Sequence, residues 1–151
     1  MTVVNGWSLF YFRLFADILN RLERDVTELA QNDPSGFVHH EKAKLLKSVH
    51  DSIMKDVPTN PNDSKFLLGK TLGDRFTDWR RVKYGLPQRY RLFFKFTSAQ
   101  RKIIYAWFND EHTLRKTGAK TDVYEVFKQM LKRGEVPDSI EDLLKGAIIP
   151  R

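Results

Sequence analysis

The stretch DWRRVKYGLPQRYRLFFKFTSAQRKIIYAWF, residues 78–108, decides the fold. It contains three runs rich in aromatic and β-branched residues, 78–84, 89–97 and 101–108. Each reads as a strand, with Gly85-Leu86-Pro87 turning the chain between the first two. Sequential strands with short connections pair antiparallel as a meander. Alternation puts Trp79, Arg81 and Lys83 on one face of the first strand, and Arg80, Val82 and Tyr84 on the other. Arg89 and Arg91 share a face of the second, so the hairpin can present four cations to one side. Like charges placed opposite each other destabilise a sheet, so their accumulation points to an anionic ligand. Charges that guard an edge strand against aggregation leave the same pattern. Trp79, Tyr84, Tyr90 and Trp107 interleave with the cations and can stack on bases, although core packing is the ordinary role of each.

Upstream, residues 7–12 form a short aromatic run that reads as a further strand. From 12 to 31 the period changes. Phe15, Ile18, Leu19, Leu22, Val26 and Leu29 recur at three- and four-residue spacing, the mark of an amphipathic helix. Asn32-Asp33-Pro34-Ser35-Gly36 breaks it. A second helix is expected over 37–56, with Leu45, Leu46, Val49 and Ile53 as its apolar face, completing an αα-hairpin. Residues 57–64 read as a loop. Downstream, 109–120 is a polar loop, and Thr121 or Asp122 can cap a helix over 123–132 that Gly134 stops. Asp138 or Ser139 caps a last short helix, 140–145. The predicted class is α+β: one domain over 1–151, with about four strands in an antiparallel or mixed sheet and helices packed on one face.

Charge narrows the function. The chain carries a net +7, unevenly placed: residues 65–133 hold 17 Lys and Arg against 6 Asp and Glu, and the remainder 9 against 13. A basic half of this kind attracts polyanions, chiefly nucleic acid. There is no cysteine, which excludes disulfides and thiol chemistry and suits a reducing cytoplasm. No run approaches 18 apolar residues and no signal-peptide pattern opens the chain, so neither export nor a membrane partner is expected. His39 and His40 are adjacent, so on a helix they point about 100° apart and cannot share a metal. No metal or other cofactor is expected, and neither a Walker loop nor a Gly-x-Ser-x-Gly elbow is present.

The loop NDEHTLRK, residues 109–116, is dense in titratable groups. His112 can act as acid or base, or sit solvated on the surface. Asp110 is expected to cap or to orient an arginine. Lys120 and Tyr124 lie at the start of the following helix, where anions bind, and form a plausible phosphate clamp and proton handler. Arg80, Arg89, Lys95, His112 and Lys116 complete the expected RNA-contacting set.

Six segments together resemble the YhaV toxin family, within the RelE/ParE-like group: VNGW (4–7), DWRRVKYG (78–85), RYRLFF (89–94), WFNDEHTLR (107–115), GAKTDVYEVF (118–127) and MLKRG (130–134). The resemblance spans nearly the whole chain, in order. It implies a RelE-like domain acting as a ribosome-associated endoribonuclease that cuts messenger RNA. It also implies a PrlF-type, swapped-hairpin antitoxin and repression of operator DNA by the pair. By motif, it places a metal-free site on Arg81, Lys83, Arg91, Arg115, Lys120 and Tyr124. The alternative is a non-catalytic toxin of the same group, or a nucleic-acid-binding module, acting on another target.

Overall fold

A computed structural model describes residues 2–150. Six strands form one mixed sheet: β1 (Val3–Val4), β2 (Trp7–Phe12), β3 (Arg80–Val82), β4 (Leu92–Thr97), β5 (Lys102–Phe108) and β6 (Ala147–Ile148). Four helices accompany them: α1 (Arg13–Asn32), α2 (Glu41–Asp51), α3 (Val123–Lys132) and α4 (Ile140–Lys145). The strand order is β1-β2-β5-β4-β3, with β6 also on β2. The antiparallel meander β3-β4-β5 is as the sequence predicts. The first aromatic run instead lies parallel to β5, Leu9 opposite Ile103 and Tyr11 opposite Tyr105, because the helical hairpin carries the chain across before β3 begins.

Helices cover both faces of the sheet rather than one. On one side α1, α2 and the turn that follows α2 bury Phe15, Leu19, Leu22, Leu45, Val49 and Ile53 against Leu9, Phe94, Ile103 and Tyr105. On the other, α3 and α4 bring Val123, Tyr124, Phe127 and Leu143 onto Phe93, Ile104, Ala106 and Trp107. Phe93, Trp107 and Phe127 stack face to face at the centre of this second layer. Trp79 is fully buried there, its indole nitrogen donating to Asp138 Oδ1 over 2.9 Å. Trp79 and Trp107 are therefore core, while Tyr84 stays exposed.

The VNGW segment is structural. Asn5 and Gly6 have φ of 50° and 82°, joining β1 to β2 through the two-residue turn that matches strand twist. Arg101 stacks on Trp7 and bonds the carbonyls of Asn5 and Gly6; a Cβ on Gly6 would lie 2.8 Å from its Nη2.

The second helix starts and ends later than its pattern predicts and is less regular: Phe37–His39 is a separate 3-10 turn, and α2 begins at Glu41 after an extended His40. After α2 the chain passes through a π-helical segment, Ser52–Asp56, and one α-turn, Val57–Thr59, so the loop starts at Asn60. Val57 N–H reaches Ser52, five residues back. The next donor in that register would be Pro58, which has none. The Ile53 carbonyl left over accepts from the buried Tyr105 hydroxyl at 2.8 Å, tying the hairpin to β5.

Candidate functional site

Tyr124 sits in the first turn of α3, where Asp122 is the N-cap and its Oδ2 accepts from the Tyr124 amide at 3.1 Å. The amphipathic spacing of α3 turns this phenol inward, 6% exposed, with its ring edge-on to Phe93. Three guanidinium groups surround it. Arg91, which precedes β4, donates from Nε to the Tyr124 hydroxyl over 2.9 Å, its Cζ 5.9 Å from the ring centre. Arg81 lies on β3 opposite Phe93, hence on the same sheet face, with its Cζ at 5.6 Å. Arg115 arrives from the loop after β5, at 4.8 Å. Four of the expected catalytic residues, from four segments of chain, thus meet around one ring.

Two polar side chains hold this group in place. Asn109, 1% exposed at the end of β5, accepts from the Arg91 amide at 2.8 Å and donates to the carbonyls of Arg89 and Thr113. Asp122 accepts from Arg115 Nη1 at 2.7 Å and from the Lys116 amide at 2.6 Å as well as capping α3. It is therefore Asp122 that orients an arginine; Asp110 accepts from the His112 amide and the Thr113 hydroxyl within its own turn. Asn109 was legible only as part of a polar loop, because an asparagine after a strand carries no pattern that announces burial. The guanidiniums are not fully used by these contacts: Arg81 Nε is enclosed without a hydrogen-bond partner.

The other expected residues fall elsewhere. Lys83 follows the end of β3, exposed, over the ring of Tyr84. Lys120 is exposed two residues before the α3 cap. Arg80 points to the opposite face from Arg81, over Phe96. Arg89 is exposed at a φ of 73°, outside the strand, so the alternation that paired it with Arg91 does not operate. Lys116 is exposed. His112 is exposed beside Glu111, on the hairpin side of the sheet end rather than beside Tyr124. Lys95 does not offer its charge to a ligand. It is 7% exposed, lies over Trp79 and donates to the Asp138 carbonyl and carboxylate, stapling β4 to the segment before α4. The alternation of β4 puts Lys95 on the face of Arg91, and the segment before α4 covers it. Among the described residues no three His, Asp or Glu side chains are grouped to hold a metal ion. Nor is any helix long and apolar enough to cross a membrane.

A phenol ringed by three guanidiniums, in a chain whose residues 65–133 hold its positive balance, is the equipment of a protein that handles phosphodiesters. The comparisons agree. A family model described as a toxin with endonuclease activity, of a toxin–antitoxin system, matches residues 9–148, and the chain belongs to this YhaV toxin family. Among similar proteins, Ribonuclease toxin YhaV of Escherichia coli K12 is 42% identical over 94% of this chain and 92% of its own. Toxin YhaV of Escherichia coli O6:H1 is 43% identical over 93% and 91%. No solved structure matches the chain.

Proposed function

We propose that this toxin is an endoribonuclease that cuts messenger RNA in association with the ribosome, in the cytoplasm, using the Tyr124 cluster. One observation carries the assignment: the Arg91 Nε–H on the Tyr124 hydroxyl, with Arg81 and Arg115 flanking the same ring. The ribonuclease named among its relatives supports the choice of RNA.

In the proposed reaction the 2′-oxygen attacks the adjacent phosphorus and the bond to the 5′-oxygen breaks. A 2′,3′-cyclic phosphate and a free 5′-hydroxyl result. The attacking hydroxyl loses a proton, the leaving oxygen gains one, and negative charge builds on the phosphorane between these events. Arg91 and Arg81 neutralise that charge. Arg115, already drawn to one anion in Asp122, holds the phosphate. Tyr124 accepts from Arg91, so its own O–H is left to give to the departing oxygen. Arginine serves as a hydrogen-bond donor rather than a proton source. Lys83 and Lys120, both exposed, are the cations at the margins, and Lys120 takes up the 2′-hydroxyl proton. Arg89 and Lys116, both exposed, carry the flanking RNA. The partner is a PrlF-type antitoxin, and the pair represses its own operator.

The test is to incubate purified protein with translating ribosomes and map message ends. New ends are expected with the native chain, and none with Arg91→Ala folded to the same secondary structure. An Arg91→Ala protein that cuts at the native rate would overturn the site.

A further inference from the structure

A cavity of about 490 Å³ opens at the end of the sheet on the αα-hairpin side. Tyr90 and Phe108 give it aromatic walls. Its rim sets four carboxylates, Asp25, Glu41, Asp110 and Glu111, against two cations, Arg21 and Lys42, and two imidazoles, His40 and His112. In a chain of net charge +7 this is an inversion of sign. Asp25 is neutralised by Lys42 at 2.9 Å, and Asp110 is committed to its own turn. Glu41 and Glu111 remain as the charges an occupant meets, Glu111 having only exposed His112 at 3.5 Å. The local potential is already felt inside: burial, then Glu111, Glu41 and Asp110, push the Tyr90 phenol up.

The chemistry of such a space is selective. An RNA phosphate would be repelled, and an apolar side chain would desolvate carboxylates without compensation. A guanidinium answers both features, stacking on aromatic faces while its planar fork pairs with carboxylates. We propose that this cavity receives an arginine side chain of the antitoxin. The proposal rests on the chain's place in a toxin–antitoxin family and not on the cleavage mechanism. It also gives the partner a hold on the site. The 109–112 loop that rims the cavity begins with Asn109, which fixes the Arg91 amide, and runs on to Arg115.

The experiment compares the native toxin with a Glu41→Gln/Glu111→Gln double variant, which keeps shape and loses charge. Neither residue belongs to the proposed cleavage machinery. Affinity for the cognate antitoxin should fall about tenfold or more, while cleavage by toxin alone stays native. Replacing the responsible antitoxin arginine by Met should cost as much, and the losses should not add in a double-mutant cycle. Agmatine, a bare guanidinium probe, should shift the Tyr90 ring and 109–113 amide resonances of the native toxin and leave those of the double variant. Unchanged antitoxin affinity in the double variant, or full additivity, overturns the proposal. So does a double variant that keeps its antitoxin but cuts RNA at altered positions, since that makes the cavity a base subsite. Toxin-alone cleavage reads the nuclease assignment separately.

Discussion

Arg91 and Tyr124 are joined across 2.9 Å between two layers of the fold, and they keep only 7% and 6% of their surfaces exposed. A hydrogen bond from a charged donor in such a place is strong, and stranding either partner is costly. The pair is therefore at once a structural contact between β4 and α3 and the centre of the proposed site. Variants must be read for both roles.

Tyr124→Phe separates them. It keeps the ring that Arg81, Arg91 and Arg115 surround and removes the hydroxyl. Cleavage should fall about 10²–10⁴-fold if that hydroxyl gives the proton. Stability should fall by roughly 1–3 kcal/mol, because Arg91 Nε is left without its partner. End mapping and urea melts check the two numbers. A variant cutting at the native rate would remove Tyr124 from the chemistry.

Asn109 is expected to act on the reaction without touching it. Asn109→Ala strands the Arg91 amide and two carbonyls, and the cost should be at least the roughly 1–3 kcal/mol of one buried group. Asn109→Asp keeps the acceptor for Arg91 and loses the donors. A positioning role predicts that kcat falls more than KM rises, since a displaced Arg91 is missed most when charge builds on phosphorus, and that Asp restores part of kcat. Equal stability losses with kcat untouched in both would reduce Asn109 to a structural part.

Lys95 tests where the basic face ends. Lys95→Met should cost about 1–3 kcal/mol through its lost bonds to Asp138, yet leave the salt dependence of RNA binding as it is. Arg89→Ala or Lys116→Ala, at exposed positions, should each lower that salt slope by about 1 with little change in stability. A reduced slope for Lys95→Met would place it on the RNA after all.

Alkaline pH should loosen the sheet. Burial, then Glu23, pushes the Tyr11 phenol up to about 12. Full burial, with Tyr11 and Asp56 adding, raises Tyr105 well above its ordinary value. Both favour the protonated form in the folded state, so above about pH 10 the unfolded chain releases protons that the native one retains. Their stabilisation is complete below pH 10 and is lost as pH rises beyond it, at up to about 1.4 kcal/mol per pH unit for each phenol. Urea midpoints between pH 8 and 11.5 should fall, and Tyr11→Phe should flatten the decline. A flat native profile would contradict the burial assigned to these rings.

Local pattern made much of this legible. The period-3.6 face of Phe15, Leu19, Leu22 and Val26 and the alternation through Leu92, Phe94 and Phe96 are short-range consequences of helix and strand geometry, and the structure keeps them. Asp122 and Ser139 cap their helices as their residue types allow. Strand ends were less legible: Arg89 carries strand-like neighbours, but a positive φ takes it out of the ladder. The π-helical segment was hidden because nothing in Ser52–Asp56 differs from an ordinary helical pattern; Pro58 and the Tyr105 hydroxyl, distant in sequence, act there together.

Residue types and spacing were enough to establish an α+β chain with a basic second half, an antiparallel β3-β4-β5 and a family resemblance. Each of these depends on neighbours a few residues apart or on composition. Which cations meet a phenol depended on tertiary structure alone. Arg81, Arg91 and Arg115 converge on Tyr124 while Lys95, on the same strand face as Arg91, is sealed against Trp79 and Asp138. The reason is physical: a strand's alternation assigns a face, but the helix that later packs on that face determines which of its charges are buried in ion pairs and which are left facing one another.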